Sequence, residues 1–289
     1  MTGVDDEAGV VCLDLDGVVW RGDAPVPGAA AAVLGLRAAG LLVGFMSNNS
    51  SMPVDDVVAK LAGFGIEAPR EHVLTSAMAA ADLLATDLAS GARVLVCGGP
   101  GVVESLAAAG LDPVREPPAE AVVVGFHRDF DFDGLERASR AVRDGARFVA
   151  TNLDATYPIA GGLLPGAGSI VAAVATAGGR EPEVAGKPCA PAAAMVHRRL
   201  GRRGVMVGDR PTTDGAFAER LGWPFALVLS GVARREPGPG EEPVPRPPPP
   251  FVADDLARLG PALVEALAGT SPPGVGVAAE ERSSRNLAR

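Results

Sequence analysis

Val10-Val-Cys-Leu-Asp14-Leu-Asp16-Gly-Val-Val-Trp20 is an apolar run that ends on two carboxylates one residue apart, followed by glycine. In an extended strand alternate side chains share a face, so Asp14 and Asp16 can converge on one cation or one substrate where the strand ends. Gly17 lets the chain turn away there. The same segment also reads as a strand closing in an ordinary turn, since Asp and Gly favour turns. The rest of the chain decides between the two.

Working outward, Pro27-Gly28 opens a helix to about Ala39, Gly40 closes it, and residues 41–46 read as a second buried strand running into Ser47-Asn48-Asn49. A helix follows Pro53, with Val54, Val57, Val58, Leu61 and Phe64 at three- and four-residue steps. Strands alternating with helices predict a parallel sheet covered on both sides, with functional residues in the loops at the carboxyl ends of strands. Asp14 and Ser47 fall there.

After an alanine-rich helix at 77–89 the alternation restarts with strand 94–97, helix 102–109, strand 121–126, helix 134–143, strand 148–151 and helix 169–177. This block, 80–178, reads as an insertion between two parts of a core, 1–79 and 179–270. The second core part holds helix 191–200, strand 205–207 ending on Gly208-Asp209, helix 214–221 and strand 225–229. Residues 237–250 read as a proline-rich surface loop, and 271–289 have the composition of a disordered tail. The expected fold class is α/β, a doubly wound, Rossmann-like parallel-sheet core with an inserted α/β cap.

Composition narrows the function. A chain of 289 residues, 47% of them hydrophobic, supports a sizeable core. Its formal charge of −9 opposes binding to nucleic acid or to an anionic membrane, and a small anionic substrate needs local cations. Cys12, Cys97 and Cys189 are far apart, without zinc-ligand spacing, which reads as reduced thiols in a cytoplasmic protein. Residues 1–9 lack the pattern of a signal peptide, and no stretch reads as a membrane span.

Asp14-Leu-Asp16-Gly17, Ser47-Asn48-Asn49, Lys187 and Gly208-Asp209-Arg210-Pro-Thr-Thr-Asp214, in this order and strand-end placement, resemble the four signature motifs of the haloacid-dehalogenase-like phosphatases. The inserted block resembles the α/β cap of the NagD-like branch, which includes para-nitrophenylphosphatase, phosphoglycolate, glycerol-phosphate and pyridoxal-phosphate phosphatases. Ala150-Thr-Asn-Leu-Asp-Ala-Thr-Tyr-Pro158 and Leu164-Pro-Gly-Ala-Gly-Ser-Ile170 carry that likeness, and the whole resemblance spans about residues 9–260. Singly, each motif has an ordinary alternative. The serine and asparagine run can be a helix-capping loop, Lys187 a solvated loop lysine, and Asp209 and Asp214 turn and N-cap residues. Pro211 and Gly215 depart from the larger residues usual in such relatives but leave every charged group in place.

Hydrolysing a phosphate monoester requires a nucleophile, neutralisation of the phosphoryl oxygens and a proton for the leaving alkoxide. Asp14 suits the nucleophile, since a carboxylate needs no activating base, and the resemblance implies the same role. Asp16 is placed to protonate the leaving oxygen and then deprotonate water. Two carboxylates facing a dianion require a hard divalent cation, and oxygen ligands suit Mg²⁺. Asp209 offers a side-chain ligand. The resemblance adds the Asp14 carboxylate and the Asp16 backbone carbonyl as ligands, with Asp214 supporting the metal shell through water.

Ser47 can donate to phosphate, with Asn48 as its backbone partner, while Lys187 adds positive charge and restrains the nucleophile. In the cap, Asn152, Asp154 and the only tyrosine, Tyr157, are the candidates for substrate specificity, with turn roles as the alternative. His127 reads as a surface histidine, and Gly98-Gly-Pro-Gly101 is a poor dinucleotide loop because Glu104 stands where a small residue is needed.

These readings predict a Mg²⁺-dependent phosphomonoesterase acting on a small phosphorylated metabolite. Few aromatic residues in the cap for base stacking favour glycerol phosphate or phosphoglycolate over a nucleotide. A phosphotransferase to an alcohol or sugar, and a binding protein that keeps the scaffold, are compatible with the same motifs. A homodimer through the cap is implied by family analogy alone. A chain ending at residue 270 is expected to keep full turnover of phosphate esters; a fall in rate would give residues 271–289 a role in catalysis.

Overall fold

The structure, a computed structural model, describes residues 9–159 and 162–268, so the expected tail at 271–289 lies outside the described residues. The strand Val10–Leu13 is buried along its whole length, as a continuous apolar run requires in a parallel sheet covered on both faces. Six parallel strands run in the order Phe251–Ala253, Phe225–Val228, Gly204–Gly208, Val10–Leu13, Leu42–Ser47, Val73–Thr75. The chain builds one half of the sheet outward from Val10–Leu13 and later returns to build the other, so strand order reverses at this first strand. Ligand crevices of doubly wound sheets open at that point, outside the carboxyl ends. The register sets Leu13 beside both Phe45 and Val207, which brings Asp14, Ser47 and Asp209 out at one rim.

Some core elements were illegible in the sequence. Val73–Thr75 and Phe251–Ala253 are three residues each, too short for a periodicity. The helix Leu256–Ala268, which packs on the helix Ala29–Ala38, contains Gly260-Pro261, a pair that reads as a helix breaker. The helix expected at 214–221 is preceded by a wide turn, Pro211–Gly215, and its α-helical part is Ala216–Leu221. Within the proline-rich loop, Glu242–Pro243 pairs with Ala233–Arg234.

A second sheet of five parallel strands runs in the order Glu183–Val184, Arg147–Ala150, Ala121–Val124, Arg93–Cys97, Asp112–Val114. Alternation along its strands divides their side chains between two apolar clusters. Leu95, Cys97, Val122 and Val124 pack with residues of the helices Phe132–Arg143 and Ala167–Gly178. Val94, Val96, Ala121 and Val123 instead join the large cluster that contains Val11, Phe45 and Val207. The bridge is a pair of packed helices, Ser76–Asp87 and Pro100–Ala108. The limits expected for the inserted block, 80 and 178, therefore fall inside the bridging helix and short of the edge strand Glu183–Val184 that completes the second sheet. Among the described residues, no helix is long and apolar enough to cross a membrane.

Because both sheets share one apolar cluster, they are expected to unfold together. Leu106→Ala, in the fully buried face of Pro100–Ala108, should cost about 2–5 kcal/mol. Fluorescence of Trp20 and Trp223, both in that cluster, should then report the same lowered midpoint as circular dichroism of the whole chain. Two separated transitions would contradict the shared core.

Candidate active site

The site centres on a buried ammonium. Lys187 Nζ donates to Asp14 Oδ1 and to Asp214 Oδ1, each at 2.6 Å, and the lysine is only 3% exposed. Burial alone would push its pKa down, but Asp14 and Asp214 outweigh that and hold it above the ordinary lysine range. Burial raises Asp14 well above the usual carboxylate range; Lys187 opposes the shift, while Asp214, Asp209 and Asp16 add to it. Asp209 is pushed up to about 7, by burial first and by Asp214 next.

Asp14, Asp209 and Asp214 each offer an oxygen within 4.8 Å of the others, a donor set that can hold a hard cation. Their roles differ. Asp214 already carries a donor on each oxygen, Lys187 on Oδ1 and the Arg210 N–H on Oδ2 at 3.2 Å. That occupancy suits a residue standing behind the ligands. Asp209 accepts the Val232 N–H on Oδ2 at 2.5 Å, and its Oδ1 meets no donor among the described residues. Gly17, at φ +89°, and Gly231 pass so close that a Cβ on either would collide with the Asp209 carboxylate. Gly17 thus makes both the turn and the space.

Ser47 Oγ accepts the Asn49 N–H at 3.0 Å, which leaves the hydroxyl hydrogen for an anion in the cleft. Asn48 does something the motif did not reveal. Its Oδ1 accepts the Lys187 N–H at 2.8 Å, and its Nδ2 donates to Lys187 O and to Asp154 Oδ2, both at 3.1 Å. Its own carbonyl accepts from Ser76 Oγ and from Asn152 Nδ2, both at 2.7 Å. Asn152 lines the cleft, yet its Nδ2 is engaged there and its Oδ1 accepts the Asp154 N–H at 3.0 Å. Its amide is spent on the loop. Asp154 also lines the cleft, raised by burial against the opposing pull of Arg210 and Asn48.

The cleft has a volume of about 630 Å³, its open mouth included. Phe126, Thr156, Tyr157 and Ala167 line it from the inserted block, and Arg210, Thr213 and Val232 from the core. Phe126 stacks on Tyr157 with centroids 5.8 Å apart at 23°. The low aromatic content of the chain therefore does not leave the cleft without aromatic surface, as composition had suggested: folding gathers two of the few rings there. Asp16 Oδ1 accepts from Trp20 Nε1 at 2.9 Å and from Tyr157 Oη at 3.1 Å. Burial raises Asp16, and these two bonds oppose the rise.

Sequence reasoning missed Trp20, Phe126 and Arg210. Trp20 and Phe126 carry no titratable group, and Arg210 offered a signal only as the charged residue inside Gly208-Asp209-Arg210. His127 lies outside the cleft lining, with Nδ1 at 3.0 Å from Gly125 O. Gly98-Gly-Pro-Gly101 serves packing: a Cβ at Gly99 or Gly101 would strike Ser51 or Met52, and Gly101 N–H donates to Ser51 O at 3.0 Å. Cys12 and Cys97 are buried thiols pushed up to about 12, chiefly by burial, which excludes them as nucleophiles.

Residues 11–112 match the haloacid dehalogenase-like hydrolase family and residues 184–259 a second, HAD-hydrolase-like family. The D-glycerol 3-phosphate phosphatase of Mycobacterium tuberculosis is 42% identical over 263 residues, which are 90% of this chain and 73% of that protein. The chain belongs to the haloacid dehalogenase-like hydrolases. The crystal structure of the glycerol phosphate phosphatase from Mycobacterium tuberculosis in complex with magnesium has a TM-score of 0.77 to this hydrolase at 38% identity, covering 90% of this chain and 79% of that one. A p-nitrophenyl phosphatase from Archaeoglobus fulgidus gives 0.79 at 31% identity, covering 89% of this chain and all of its own.

The raised Asp209 sets a pH dependence. Its folded value of about 7 against an ordinary 3.8 means that its share of stability in the cation-free protein is present below about pH 4 and lost as pH rises through 7. A divalent cation competes with that proton, so the melting-temperature gain on adding Mg²⁺ should be larger at pH 8 than at pH 5.5. Gly231→Ala, which displaces the carboxylate, should abolish most of that gain, worth about 2.7 kcal/mol at a hundredfold excess over Kd. An unchanged gain in the variant would remove Asp209 from the cation site.

Proposed function

We propose that this hydrolase is a Mg²⁺-dependent phosphatase of small-metabolite phosphate monoesters, of the glycerol phosphate or phosphoglycolate type, working through an aspartyl phosphate on Asp14. The observation that carries the reading is the Lys187 ammonium shared between Asp14 and Asp214 at the floor of a roofed cleft beside Asp209 and Ser47. Three buried carboxylates against one buried lysine leave an excess of negative charge and oxygen-only donors, which fit Mg²⁺ and disfavour softer metals. When bound, the ion supplies charge neutralisation to the phosphoryl oxygens.

The chain's own groups do the rest. Lys187 holds Asp14 Oδ1 and aims its other oxygen at phosphorus. Ser47 donates to a phosphoryl oxygen. Asp16, held at the cleft wall, gives a proton to the leaving oxygen and later takes one from the attacking water. Asn48 keeps Lys187 in place from its backbone and ties that segment to Asp154 of the cap. The cleft is lined by polar groups of both parts of the chain, as a small phosphorylated metabolite requires, and the name of the Mycobacterium tuberculosis relative favours glycerol phosphate within that class. Free thiols at Cys12, Cys97 and Cys189 accord with a cytoplasmic setting.

Asp14→Asn is expected to lower turnover by on the order of 10³-fold or more while leaving the circular dichroism intact. Phosphate release from glycerol phosphate, phosphoglycolate and nucleotide monophosphates, with Mg²⁺ and with a chelator, tests the whole reading. Turnover that survives the chelator or the Asn variant would overturn it.

A further inference from the structure

We propose that Trp20 and Tyr157 are positioning residues that orient the Asp16 carboxyl for proton transfer, and that Tyr157 does so from the cap. The inference rests on the reading of Asp16 as general acid and base. Asp16 Oδ1 accepts from the indole Nε1–H of Trp20 at 2.9 Å and the phenol O–H of Tyr157 at 3.1 Å. An oxygen that accepts two hydrogen bonds is a poor seat for a proton, since the bonds favour its charged, acceptor form. Oδ2 meets no donor among the described residues, and Asp16 lines the cleft. The proton that moves is therefore the one on Oδ2.

The step balances on that oxygen. As Asp14 forms its bond to phosphorus and the bond from phosphorus to the leaving oxygen breaks, the proton on Asp16 Oδ2 passes to that oxygen and an alcohol departs. Water then attacks phosphorus, its proton returns to Oδ2, and inorganic phosphate leaves as the Asp14 carboxylate is freed.

Both donors are braced for this task. Trp20 is 3% exposed, its ring centroid lies 6.0 Å from that of Phe64, and Lys60 Nζ stands 4.5 Å from the ring centroid, while Lys60 Nζ is itself anchored on Gly22 O at 2.8 Å. The Trp20 carbonyl also accepts the Gly17 N–H at 2.7 Å, which ties the indole to the turn that follows Asp16. Tyr157 is held by its stack on Phe126. The only tyrosine in the chain and one of its two tryptophans thus meet on a single carboxylate oxygen, one from the inserted block and one from the core. Tyr157 stands in Thr156–Ile159, which pairs with Gly162–Pro165, so the second donor to the acid comes from the inserted block.

A pair of aryl esters of similar shape separates orientation from substrate contact. Nitrophenolate leaves without a proton, whereas phenolate gains from one, and kcat/KM covers only the steps up to release of the phenol. Trp20→Phe and Tyr157→Phe should each lower kcat/KM for phenyl phosphate roughly tenfold or more, with a much smaller loss on 4-nitrophenyl phosphate. Asp16→Asn should show the same selective loss, deeper, and adding Tyr157→Phe to it should bring no further selectivity. If Trp20→Phe fails to fold, Tyr157→Phe carries the test alone. Equal losses on both esters in Asp16→Asn would overturn the acid reading itself. A selective loss there with an unselective loss, or none, in the phenylalanine variants would overturn this inference and leave that reading standing.

Discussion

One ammonium shared between two carboxylates, away from water, is the constraint on which the rest of the site depends. Taking Lys187, Asp14 and Asp214 out of water costs several kcal/mol per ion, and only close geometry offsets such a cost. Two bonds of 2.6 Å provide it. Three distant stretches are thereby pinned to one point: the end of Val10–Leu13, the segment between Glu183–Val184 and Ala190–Arg199, and the turn after Gly204–Gly208. Asp209 takes no bond from that ammonium, and burial first, with Asp214 next, pushes its carboxyl up to about 7. A divalent cation held by the same carboxylates would favour the ionised form of Asp209 over the protonated one.

The second sheet is bound to this centre by two kinds of contact. An apolar cluster continues from the core strands into one face of the second sheet, and a polar hub at Asn48 continues from Lys187 into Asp154 and Asn152. Ser50 Oγ and Thr151 Oγ1, 3.0 Å apart and fully buried, add a further polar tie. Glycine makes the approach possible, because side chains at Gly99, Gly101 and Gly125 would meet Ser51, Met52 and Ser50. The cleft roof is thus held in register with the floor by packing as well as by hydrogen bonds.

Much of this was legible without coordinates. Alternating apolar and helical periods announce a parallel sheet, and acids at strand ends announce where its chemistry lies, because both patterns act within a few residues along the chain. Asp14, Asp16, Ser47, Lys187, Asp209 and Asp214 all line the one cleft. Less legible were residues whose importance depends on what lies opposite them. Asn48 reads as a phosphate-loop residue and turns out to hold Lys187 from 139 positions away. Asn152 reads as a hydroxyl binder and is consumed by Asn48.

By itself the sequence determined the fold class, the order of the motifs and the identity of the charged groups, since local periodicity and strand-end chemistry need no distant partner. Tertiary structure alone decided which oxygen of each acid stays free. Among the described residues, Asp14 keeps one because Lys187 takes the other, both oxygens of Asp214 accept a hydrogen bond, and Asp16 has Oδ1 claimed by Trp20 and Tyr157. Those occupancies arise between residues far apart in the chain, and a hydrogen bond is defined by position in space, which spacing along a sequence does not specify.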